Sequence, residues 1–149
     1  MHTMLRLDII FPVSIGNDYD GHWLALYFFF VLIPVTLSRS LVRSDGGAQT
    51  IATIPLHLYK KDAADTVITI FALWGLSQLL LGVVYLIVAI RYSELIPLMY
   101  LTVVAEYVGR CLLGRWKPMR TEGTPPGAIG NMVLVPLSIA MLLLSVYRT

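Results

Sequence analysis

The sequence predicts an all-α membrane protein, one domain over 1–149 built as a bundle of four transmembrane helices with up-down connectivity. Three observations lead there. Of 149 residues, 57% are apolar and 13% are charged, against a charged share of roughly 25% in soluble domains. The mean hydropathy is +0.75. Four separate stretches are close to the run of about 20 apolar residues that crosses a hydrocarbon core about 30 Å thick. A soluble core explains one such run, not four in a chain of this length. The runs are continuous, whereas the strands of a membrane barrel alternate in polarity over roughly ten residues. Within lipid a helix satisfies its backbone polar groups locally, which an open strand does not.

The composition also removes other classes. The apolar content excludes disorder, and a single cysteine, Cys111, excludes a disulfide-stapled module. The net charge is only +2, and no basic stripe suited to nucleic acid is present. Asp8 interrupts the first apolar stretch, which argues against a cleavable leader.

The first helix is expected over 22–41, around WLALYFFFVLIPVTL, and carries Pro34. A long connection, 42–65, opens with the turn signal SDGG. Its apolar part, 51–59, is too short to span. It is expected to lie at the membrane interface or to pack on the bundle, with Lys60 and Lys61 near headgroups. Asp62 and Asp65 suit the positive end of the second helix, with Asp65 as its N-cap. That helix, 66–90, has no charged residue. The connection RYSE is so short that the second and third helices must form an antiparallel hairpin. The third helix, 95–114, has Pro97 in its first turn, where proline costs little. The fourth, 127–147, follows the prolines of TPPG.

Orientation follows from the basic residues. Arg39, Arg43, Lys60, Lys61, Arg110, Arg115, Lys117 and Arg120 belong to the first and third connections, while Arg6, Arg91 and Arg148 lie on the other side. Basic loops stay in the cytoplasm. The connections 42–65 and 115–126 are therefore expected to be cytoplasmic and both termini outside, in a multi-pass protein of the cell membrane. Trp23 and Trp116, with Lys60 and Lys61, are the expected interfacial anchors. Trp74 falls inside the second helix and is expected to pack there.

An ionisable group inside a membrane helix costs a few kcal/mol on insertion scales and needs a reason. The third helix has two, Glu106 and Arg110, one helical turn apart in AEYVGRC. They share a face, with the glutamate first, which is the favoured order. Arg110 is expected roughly 6 Å from the cytoplasmic end of its helix, with Glu106 about twice as deep. On the second helix Gly75, Gln78, Gly82, Tyr85 and Ala89 form one face by their spacing. Gln78 should then point inward, deeper than Glu106, and the small residues should let a neighbour approach. On the fourth helix Asn131, Ser138 and Ser145 recur every seven residues. The candidate site is therefore an intramembrane polar cluster of Glu106, Arg110, Asn131 and Gln78.

Nothing else suggests catalysis. His2, His22 and His57 lie far apart, Cys111 stands alone, and no phosphate loop or nucleophile elbow occurs. No catalytic residue, metal ligand set or cofactor is assigned. The leading expectation is a binding, structural or accessory role. The alternatives are an enzyme or carrier for a lipophilic molecule, with Glu106 accepting a proton and Arg110 clamping an anion, and a homo-oligomeric pore whose Gly75/Gly82/Ala89 face turns outward. The expected partners are the bilayer itself, a lipophilic ligand or another membrane protein, including a second copy of the chain; nucleic acid is not among them.

The glycine-bearing second helix GLSQLLLGVVYL and the pair Gly109–Arg110 late in the third resemble the DoxX-like group of small bacterial membrane proteins. The resemblance covers about half the chain. It implies a location in the bacterial inner membrane and no particular activity.

Overall fold

The computed structural model describes residues 7–12, 14–40 and 52–147. They form four long helices: α1 (Trp23–Ser40), α2 (Lys61–Arg91), α3 (Ile96–Trp116) and α4 (Pro126–Val146). All four are long and apolar enough to cross a membrane, and no β-strand occurs among the described residues. The expected SDGG turn, Arg43, Ile51 and the chain ends that carry Arg6 and Arg148 lie outside the described residues.

α2 is the longest helix, at 31 residues, or roughly 46 Å by helical rise. It begins at Lys61, not at 66, so Asp65 is not its N-cap. Lys60 takes that position, and its side chain makes no capping bond. The charged run KKDAAD looks like a connection when only hydrophobic length is counted, but Ala and Lys are good helix formers and continue the helix. The carbonyls of Asp62 and Asp65 instead accept the hydroxyls of Thr66 and Thr69, both at 2.8 Å. At the other boundaries the prolines sit in first helical turns: Pro97 in α3 and Pro126 as the first residue of α4.

The helices do not pack evenly. α1 lies closely along α2 and α3 along α4, and α1 also touches α4. α2 and α3 approach closely at few positions, although a short turn joins them. The centre of the core is aromatic. Phe29 of α1 meets Tyr85 of α2 at 5.5 Å and Tyr100 of α3 at 5.6 Å between ring centroids, and the Tyr100 hydroxyl donates to the carbonyl of Ala25 at 2.6 Å. The small face of α2 turns inward: Gly75, Gly82 and Ala89 are all buried. A Cβ at Gly82 would stand 2.6 Å from Leu37 Cδ2, so glycine there allows α1 its close approach. The outward orientation that a pore built on this face requires is not what the structure has.

These contacts set the helices in register. Leu37 faces Gly82, so Ser40, the last residue of α1, lies about level with Gln78. From that level α2 runs on to Lys61 and α3 to Trp116. Ser40 is the last described residue of α1, and α2 and α3 continue past that level.

Each end is closed by its connections. At one end Gly16 N–H donates to Glu94 at 2.8 Å, Ser93 N–H to Asn17 Oδ1 at 3.3 Å, and His22 N–H to the carbonyl of Leu144 at 3.1 Å. Tyr19 is half-buried under this cap, and burial pushes its phenol up from the ordinary range. At the opposite, basic end, Ala52, Ile54 and Leu56 are buried against Ala64, Val67, Ile68 and Phe71 at the base of α2. The two connections there are tied together: Glu122 N–H donates to the carbonyl of Thr53 at 2.8 Å, and His57 pairs with Glu122 at 3.5 Å. The described part of the first connection is thus packed on the bundle.

Candidate functional site

Three of the four expected cluster residues meet, and they do so between α2 and α3. Gln78 Nε2 donates to Glu106 Oε1 at 2.8 Å. Arg110 Nη2 donates to the same oxygen from the next turn of α3. A carboxylate only accepts, so the amide presents its nitrogen here. The other end of that amide, Gln78 Oε1, is buried without a hydrogen-bond partner among the described residues, and so is the Tyr85 hydroxyl two turns further along α2. Gln78 is 4% exposed and Tyr85 1%.

Gln78 is not deeper than Glu106 but bonds to it directly. Counting inward from helix ends assumed that all ends lie in one plane, and α2 and α3 in fact continue to different distances past the cluster. Asn131 does not join the others. It is half-buried and has no hydrogen bond among the described residues. The first two turns of α4 are largely exposed, and the helix becomes buried only from Ser138, through Met141, to Ser145. Glu106 also faces α2, whereas α4 packs on a different side of α3.

Three residues join the site without having been expected in it. The Arg110 guanidinium stands 5.0 Å from the ring centroid of Trp74 and 5.7 Å from that of Tyr107. Arg39, in the last turn of α1, stands 5.0 Å from the same Tyr107 ring. Trp74 also meets Phe71 edge-on at 6.1 Å. The ring faces attract cations electrostatically, by about 0.5–2 kcal/mol each depending on desolvation. The sequence held one usable sign of Trp74: it lies four residues before Gln78, on the same helical face. Nothing comparable pointed to Arg39, whose role depends on how α1 crosses α3.

The site is not sealed. The side chains of Arg110 and Glu106 remain 24% and 22% exposed, and Arg39 and Trp74 are half-buried. It lies about level with Ser40 of α1. Its charges are two guanidiniums and one carboxylate, and the carboxylate already accepts from Arg110 and Gln78. Glu106 and Arg110 are therefore each other's partners, and the geometry lends no support to one as a proton acceptor and the other as an anion clamp.

The anchors lie where helices end. Trp23 is 60% exposed and stacks with His22 and Tyr27 at the capped end. Trp116 is 75% exposed at the basic end, with the Lys117 ammonium 5.3 Å from its ring. Lys60 and Lys61 are exposed where α2 begins. The capped end also holds a cavity of about 300 Å³, lined by Asp18, Tyr19, Asp20 and Glu94 among others. Among the described residues no group of three or more His, Cys, Asp or Glu side chains is placed to hold a metal ion.

No family model, curated protein or solved structure matches this chain.

Proposed function

We propose that the chain is a multi-pass protein of the bacterial cytoplasmic membrane. Its four helices cross in up-down order, and its role is binding or accessory. In this reading the connections 42–65 and 115–126 are cytoplasmic and both termini are outside. The cluster of Trp74, Gln78, Glu106, Tyr107 and Arg110 is the binding site. It takes the polar end of a lipophilic molecule whose apolar part lies in the surrounding lipid.

One observation carries this reading. The polar residues bridge α2 and α3, a helix pair whose backbones approach closely at few positions, and they stay about one-quarter exposed. Partial exposure leaves polar atoms of the cluster within reach of a molecule outside the bundle. Trp, Tyr and Arg grouped at one level of a bundle are also the residue types that favour the boundary between hydrocarbon and headgroups.

The test is to label the full-length protein in bilayers with a photoreactive acyl-chain lipid and map the adducts. Adducts concentrated on α2 and α3 around Trp74 and Arg110, and reduced by Trp74→Leu, support a site. Adducts spread evenly over all four helices indicate annular lipid only and refute it.

A further inference from the structure

Among the described residues the charges of the cluster and of Arg39 do not balance. Arg110 has Glu106. Among the described residues Arg39 has the Tyr107 side chain, both ring and hydroxyl, and no carboxylate forms an ion pair with it. Tyr107 is itself 3% exposed, so Arg39 is drawn inward against a buried ring instead of extending freely into water. A guanidinium in that setting loses hydration, and one tyrosine side chain replaces only part of it. The carboxylate on the neighbouring residue, Glu106, is already committed to two donors. A second guanidinium, that of Arg110, shares the same ring, which raises the local positive potential further. Such a place is complementary to an anion.

The level of the site indicates which anion. Arg39 lies in the last described turn of α1, at the level of Tyr107, whose ring also meets Arg110 beside Trp74. An arginine suits phosphate, whose oxygens match its planar donors. We infer that Arg39, supported by Tyr107 and Arg110, binds the phosphate of an anionic headgroup. Arg39, not Arg110, is then the anion-binding cation of the molecule. This inference rests on the binding site proposed above and names the chemistry of its ligand. Lipid phosphate and free inorganic phosphate share that chemistry, and the experiment must separate them.

Trp74 supplies the reporter. In a full-length Trp23→Phe, Trp116→Phe background it is the only tryptophan. The protein is placed in bilayers with phosphatidylcholine or phosphatidylglycerol brominated high on the acyl chain, at equal mole fractions, and Trp74 quenching is measured. The phosphatidylglycerol preference should be about fivefold, the worth of one basic residue near an anionic surface. Arg39→Gln should abolish that preference, Arg39→Lys should keep most of it, and Arg115→Gln, outside the cluster, should leave it intact. Equal quenching by the two lipids in the Arg39 protein overturns the inference, with no variant needed. So does a preference that survives Arg39→Gln. Millimolar inorganic phosphate decides the source: a preference it erases assigns the site to free phosphate, and one it leaves unchanged assigns the site to lipid. Absence of quenching by either lipid is a different failure, because it removes the lipid-accessible site itself.

Discussion

Glu106 is the residue on which the cluster depends. It accepts from Gln78 on α2 and from Arg110 on its own helix. Removing one partner of such a set leaves a poorly solvated group behind, and that cost exceeds the net worth of the pair. Arg110 has a long stem and can turn toward headgroups, so Glu106→Gln should destabilise by only about 1 kcal/mol. Arg110→Met strands the carboxylate and should cost roughly 2–3 kcal/mol, reduced from the fully buried case by the partial exposure. The double variant should lose less than the two together. Unfolding by SDS titration in mixed micelles measures all three; strict additivity would mean that the two side chains do not interact. Gln78, Glu106 and Arg110 were legible in the sequence because polar groups in apolar runs are costly and helical spacing gives their faces. Asn131 misled because a seven-residue stripe gives a face but not the neighbour it meets. Arg39 and Tyr107 were not legible, since their contact depends on where two distant helices cross.

The four helices were legible from apolar length alone, because each apolar run is long enough to cross a bilayer and such runs form helices. Their ends were less so. The charged start of α2 is helical because its lower turns are covered by Ala52, Ile54 and Leu56, an intramolecular contact that hydropathy does not register. The tightest helix pairing, α1 on α2, depends on the missing side chain at Gly82. Gly82→Leu must push Leu37 aside, at a cost of about 1–3 kcal/mol for overpacking. It should also disturb the site, because Arg39 is two residues beyond Leu37 on the displaced helix. The expected result is a lower SDS midpoint together with a changed Trp74 emission spectrum in the single-tryptophan background. An unchanged midpoint would show that α1 does not lie against Gly82.

Across the whole molecule, scarce charge is arranged and not merely sparse. Eight of the eleven basic residues lie in the two connections assigned to one side or in the helix turns next to them. Thr53 and Glu122 join those connections directly, so they share one end of the bundle. The cluster and Arg39 lie toward that end, where positive charge would meet the cytoplasmic leaflet. Everything proposed about the site depends on four crossings with this end inside. Cysteine labelling tests that most directly. In a Cys111→Ser background, single cysteines are placed at Asp18, Lys60 and Glu122 and exposed to a membrane-impermeant maleimide in intact cells. Asp18→Cys should react at once, whereas Lys60→Cys and Glu122→Cys should react only after lysis. The reverse pattern would contradict the orientation, and all three positions reacting from the same side would contradict the four crossings themselves.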